Sequence, residues 1–159
     1  MFRELTRKGK EIPAEECVRI LREEKRGVLS VLGDGGYPYG MPMNHVYDGD
    51  SGCLWFHCGR QESHRADALR RCDKVSFCVT DSGRRRDSQW ALEFCSVIVF
   101  GRAEILNDPA LTEEISEKLC RKFTDDEAYI RREIEAFAHE TWLIRLTPEH
   151  ICGKRITES

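Results

Sequence analysis

The residues Gly33-Asp34-Gly35-Gly36 stand between two strand-like runs and constrain the whole first half of the chain. Val28 to Leu32 is apolar and rich in residues that suit a pleated surface. A glycine-rich turn supplies positive φ at little steric cost, so the run from Tyr37 to Tyr47 is expected to return antiparallel to it. Pro38 and Pro42 cannot donate to a ladder, which marks the returning strand as an edge or an irregular one. Asp48 to Gly52 repeats the turn chemistry, and Cys53-Leu54-Trp55-Phe56-His57 reads as a third strand. Val75 to Thr80, Phe94 to Leu106 and Thr141 to Leu146 bring the expected strands to six, and the segment to Gly153 closes the chain.

Helical periodicity fills the intervals. Pro13 suits a first helical position, and a helix is expected from Pro13 to about Lys25, with Cys17, Val18, Ile20 and Leu21 on one face and Gly27 ending it. Ser63 is a candidate N-cap for a short helix from His64 to Arg71. Asp108-Pro109 opens a helix carrying Leu111, Ile115, Leu119 and Phe123. A last helix, Asp125 to His139, carries Ile130, Ile134 and Phe137. Asp81 to Ser88 reads as a loop. Six short strands favour a small closed antiparallel barrel, because closure removes exposed edges. Strands and long helices do not alternate regularly, which argues against a doubly wound nucleotide fold. Neither G-x-G-x-x-G nor G-x-x-x-x-G-K-[ST] occurs. The expectation is a mainly β, α+β chain with flanking helices and a single domain over residues 1–159.

The net charge of −3 provides no general attraction for nucleic acid. The basic run Arg84-Arg85-Arg86 is flanked by Asp81 and Asp87 and reads as a solvated loop. No stretch nears the ~20 apolar residues of a membrane span. Met1 to Lys10 is charged and lacks a signal-peptide core, so a cytoplasmic location is expected. Eight cysteines contain no C-x-x-C pair, and the Cys53/Cys58 and Cys72/Cys78 spacings match no standard zinc module. Core thiols are expected, with no metal.

The informative segment runs from Trp55 to Ala66, where a strand leads through a polar loop into a helix at Ser63. A helix start offers unpaired N–H groups and a positive dipole end. With the Ser63 hydroxyl, His64 and Arg65, it could seat a phosphate; an ordinary N-cap beside two exposed basic residues accounts for it equally. His57 and His45 are candidates to hold an anion or donate a proton, and Trp90 and Trp142 either cover a ligand or serve as packing aromatics.

This segment resembles the FMN-phosphate loop of the pyridoxamine 5′-phosphate oxidase-like split β-barrel superfamily. That family carries an aromatic strand end, a short loop, Ser or Gly, a basic pair and a small residue, matched here by Phe56-His57 and Ser63-His64-Arg65-Ala66. Gly27 to Leu32 with Tyr37-Pro38-Tyr39-Gly40 looks like its opening hairpin, Val97 to Glu104 like its long central strand, and Ile151 to Arg155 like its tail. The Met41-Pro42-Met43-Asn44-His45 strand and the Phe56-His57-Cys58 turn look nearest the branch of nitroimidazole-resistance reductases. The resemblance implies a six-stranded split barrel that binds FMN. By it, Pro42, Met43 and Asn44 lie along the isoalloxazine ring and Phe56 and His57 flank the ribityl chain or ring. Ser63, His64 and Arg65 hold the phosphate, and Ser96 meets the flavin edge. It also implies a homodimer with flavin at the interface. His64 stands where Arg or Lys is common, so a weaker or pH-dependent phosphate affinity is expected.

The first functional expectation is an FMN-dependent oxidoreductase that passes electrons from a nicotinamide donor to a small oxidised substrate such as a nitro compound, with His57 as the catalytic candidate. The alternatives are a flavin-binding protein without turnover and a haem-binding split barrel with His45, His57 or His64 as axial ligand.

Overall fold

The computed structural model describes residues 2–85, 87–88 and 90–158; Arg86 of the basic run lies outside them. Helix α1 (Ala14–Glu23) buries Cys17, Ile20 and Leu21. Pro13 is its N-cap in extended conformation, not its first residue, and Glu24 ends it. Gly27 belongs instead to strand β1 (Arg26–Leu32), where a Cβ would meet the Phe77 ring at 2.3 Å. The expected turn follows, with Gly35 and Gly36 at positive φ. Strand β2 (Pro38–Asn44) then pairs with β1 in register from Arg26↔Asn44 to Leu32↔Pro38.

The chain continues through β3 (Val46–Tyr47), β4 (Leu54–Gly59), α2 (His64–Arg71), β5 (Lys74–Thr80), β6 (Arg84–Arg85) and β7 (Leu92–Leu106). It ends with α3 (Pro109–Arg121), α4 (Glu127–Phe137) and β8 (Thr141–Thr157). The Asp81–Ser88 loop thus contains a two-residue strand that pairs with β7. The last strand runs 17 residues, far past Leu146. Pro148 is tolerated there because it lies opposite Gly101 at a register shift, where the β7–β8 ladder is already interrupted. A Cβ on Gly101 would fall 2.1 Å from the Thr147 carbonyl oxygen, so the close approach of the two chains requires glycine.

All strands pair antiparallel in the order β2-β1-β5-β7-β8-β4-β3, with β6 on β7. Six strands are long; β3 and β6 have two residues each. The sheet curls until β2 approaches β4. Among the described residues these two strands share no ladder, so the barrel is split along that seam. Alternation turns Leu29, Val31, Phe77, Val79, Val97 and Val99 inward. Phe56 and Phe77 meet edge to face at 5.0 Å in the centre. Helix α1 covers the barrel end near His45 and Gly153, and α2 covers the end near the β1–β2 turn. A second apolar cluster joins Ile115 and Leu119 of α3 to Val46, Trp55 and Leu143. No helix of the described residues is long and apolar enough to cross a membrane.

Candidate functional site

The seam between β2 and β4 opens as a cleft of about 590 Å³, lined by Arg26, Pro42, Met43, Asn44, His57, Cys58, Gly59 and Arg65. Local structure delivers each group. The β1–β2 register places Arg26 opposite Asn44, and Arg26 Nε donates to Asn44 Oδ1 at 2.8 Å. Strand alternation turns His57 outward while its neighbours Phe56 and Cys58 are buried. Gly59 and Arg65 also border a hollow of about 490 Å³ with Arg60, Gln61, Glu62, Ser63, His139 and Glu140, so the cleft leads to the start of α2.

Ser63 is the N-cap of α2: its Oγ accepts the Ala66 N–H at 3.3 Å. Most arginines nearby are committed. Arg70 grips Glu62, Arg71 Nη2 meets Asp34 Oδ1 at 2.7 Å, and Arg60 Nη1 donates to the His139 carbonyl at 2.8 Å. Arg65 differs: it lies against the Cys58 thiol and has no carboxylate within ion-pair distance among the described residues. It leaves a positive charge in the cleft at the first turn of a helix, where the backbone also favours an anion.

Burial and, secondarily, the Arg65 charge lower the pKa of His57 below its ordinary value, so its imidazole is neutral at pH 7. Burial raises the Cys58 thiol, against the opposing pull of Arg65. Neither is poised as a charged reactant, and the cleft's character is set by its guanidinium groups and backbone.

Of the residues singled out in the sequence, Pro42, Met43, Asn44, His57 and Arg65 come together around one cleft, and Ser63 borders the adjoining hollow. Phe56, His64, Ser96 and His45 do not line the cleft. Phe56 is fully buried and packs on Phe77 and His45, because its place in the alternation faces the core. His64 turns toward the β1–β2 turn: it stacks on Tyr39 at 4.3 Å, and its Nε2 accepts the Asp34 N–H at 3.3 Å. Ser96 sits inside the sheet on β7, between Thr80 and Lys154. His45 is fully buried with Nε2 2.8 Å from the Leu21 carbonyl, out of reach of a ligand. Burial pushes its pKa down to about 4. Trp142 packs against the core, and Trp90 is 67% exposed.

Arg26, Cys58 and Gly59 were missed. For Arg26 the signal was present: extending the hairpin register from the Gly33–Gly36 turn pairs it with Asn44. All eight cysteines are free, and no group of His, Cys, Asp or Glu among the described residues could hold a metal.

Residues 13–155 match the model of the family described as pyridoxamine 5′-phosphate oxidase. No curated protein matches the chain. Among solved structures, a candidate 5-nitroimidazole antibiotic resistance protein from Bacteroides thetaiotaomicron is 17% identical with a TM-score of 0.74, covering 92% of this chain and 87% of that one. An FAD-binding protein from Mesorhizobium loti is 23% identical with a TM-score of 0.64, covering 92% and 97%. A flavocytochrome from Azotobacter vinelandii is 19% identical with a TM-score of 0.74, covering 98% and 73%. These likenesses show a shared fold.

Proposed function

Because the chain belongs to the pyridoxamine 5′-phosphate oxidase family across residues 13–155, we propose that its seam cleft binds FMN and that the protein is a flavin-dependent oxidoreductase. The observation that carries the reading is Arg65: a guanidinium without a carboxylate partner among the described residues, at a helix start, inside a cleft of ligand size. Pockets of ~300–1,000 Å³ suit ligands of this class. A structural neighbour described as an FAD-binding protein supports a flavin in the cleft. While Arg26 is held by Asn44, Arg65 at the helix start suits one phosphomonoester. The hollow beyond it carries Glu62 and Glu140, which would oppose the second phosphate of FAD.

In this reading the flavin, when bound, supplies hydride and electron transfer between a nicotinamide donor and a small oxidised acceptor such as a nitro compound. The protein's residues do the positioning. Arg65 and the α2 N–H groups hold the phosphate, with Ser63 securing the turn. Backbone of Pro42, Met43 and Asn44 supports the ring. Arg26 places positive charge at the ring end of the cleft, held by Asn44. His57 offers a neutral imidazole on the opposite wall. Val28, Leu32 and Tyr37 leave apolar surface exposed beside this strand pair, which supports a homodimer with the flavin at its interface.

The purified protein should be yellow, release FMN on denaturation, and bleach with NADH or NADPH. Colourless protein that neither FMN nor FAD titrates would end the reading. Flavin binding without turnover is favoured by one observation: among the candidate proton donors only His57 reaches the cleft, and its lowered pKa makes it a poor acid. Rapid reoxidation of the reduced protein by a nitro compound would exclude that alternative. For haem, His57 is the remaining axial candidate, and a Soret band lost in H57Q would identify it.

A further inference from the structure

Helices α3 and α4, with the ends of β4 and β8, line a half-open cavity of about 240 Å³ that His57, Cys120 and Glu133 border. Its far wall is apolar: Leu119 from α3, Ile134 and Phe137 from α4. Phe137 is 55% exposed although it borders the cavity, so an aromatic face stands at the mouth, uncovered among the described residues. Dry cavities of about 150 Å³ hold one benzene; the volume here suits one ring with a short substituent.

The polar side of the cavity is what makes it selective. Glu117 and Glu127 are paired with Arg121 and Glu114 with Lys118, while Glu113 and Glu135 face solvent. Glu133 is half-buried and has no ion pair or hydrogen bond among the described residues. Among the described residues no lysine or arginine lines the cavity. Burial and then the neighbouring Glu133 raise the Cys120 thiol, and His57 is held neutral. Glu133 is therefore the carboxylate that faces the apolar wall, with no cation among the described lining residues to offset it.

We propose that this cavity is a binding site for a small organic cation, with a protonated amine on Glu133 and a ring or short alkyl body against Leu119, Ile134 and Phe137. Ser116 and Thr141 offer hydroxyls to the remaining ammonium protons. His57 lines both this cavity and the seam cleft. A bound amine thus touches the wall of the cleft without entering it. The site stands on this chain's own residues and does not depend on the flavin reading.

The test uses benzylamine, benzyl alcohol and benzoate as probes of matched shape and different charge, titrated calorimetrically into the purified protein with and without added FMN. Benzylamine should bind, benzyl alcohol should bind about tenfold more weakly or worse, and benzoate should not bind. E133Q should reduce the amine's affinity to that of the alcohol, while F137A should weaken both. Equal binding of amine and alcohol, or an unchanged affinity in a folded E133Q, would overturn the proposal. Loss of FMN binding with amine binding intact would count against the flavin reading alone.

Discussion

Arg65, at the first turn of α2, and His57, on the outward face of β4, line the same cleft, and the guanidinium adds to burial in lowering the imidazole's pKa. An arginine with no carboxylate to answer it acts on whatever shares its space. In the free protein that is His57; in the proposed complex it is a phosphate.

R65Q tests both effects. Removing the charge takes away the smaller of the two causes, so the His57 pKa should rise toward 6.5 without reaching it, because burial remains. NMR titration of the ring protons reads this directly. In the same variant FMN should bind about 10- to 100-fold more weakly, the worth of a charge-assisted phosphate contact. An unshifted His57 titration would show that the two groups do not communicate.

His45 makes the fold sensitive to acid. The ring is fully buried; its Nε2 meets the Leu21 carbonyl at 2.8 Å, and Nδ1 has no partner among the described residues. Its pKa is pushed down to about 4, first by burial and then by the Lys122 charge. Lys122 Nζ donates to the His45 carbonyl at 3.0 Å. The unfolded chain has an ordinary histidine, so between pH 6.5 and 4 it binds more protons than the folded protein. The contribution is therefore complete above pH 6.5 and is lost as pH falls to about 4, amounting to about 3 kcal/mol. Urea midpoints measured from pH 7 to 4 should fall steeply in the wild type. In H45Q, which keeps a donor for Leu21, that component of the slope should vanish.

Gly101 provides a local test of the barrel. Its missing side chain lets β8 pass within 2.1 Å of where a Cβ would sit, at the register shift that admits Pro148. G101A should cost about 2–4 kcal/mol in denaturant unfolding, since the clash is with backbone and cannot be relieved by rotating a side chain. Gly9, with nothing among the described residues within 4 Å of its Cβ position, is the control: G9A should change stability by less than about 0.5 kcal/mol.

What was legible in the sequence was local. Ser63 as cap, α2 from His64 to Arg71, and the turn at Gly33–Gly36 follow from side chains acting on their own backbone within a few residues. The resemblance likewise brought Pro42, Asn44, His57 and Arg65 toward one place. What was not legible depends on distant pairing. His64 carries the same motif signal as Arg65, but Tyr39 and Asp34, about 25 and 30 residues earlier, capture its ring. Phe56 and His57 are adjacent in sequence and opposite in direction, and only the position of the core decides which one faces the cleft. The last strand, expected to end at Leu146, runs on to Thr157 because its pairing with β7 sustains it through the bulge at Pro148.

The eight thiols should sort by burial. Burial, with smaller contributions from nearby thiols and Glu16, pushes Cys17 up to about 11, and it also raises Cys58 and Cys95. These three side chains are buried in the barrel core. The thiolate is the reactive form, so both access and ionisation protect them. Cys72 caps the C-terminal end of α2 and is partly exposed. Iodoacetamide at pH 8 should therefore modify Cys72 in the native protein well before Cys17, Cys58 or Cys95, and peptide mapping by mass spectrometry gives the order. In urea all eight should react together. Early labelling of Cys58 would show that the seam opens to β4 more often than its packing allows, and with it the wall of the proposed flavin cleft.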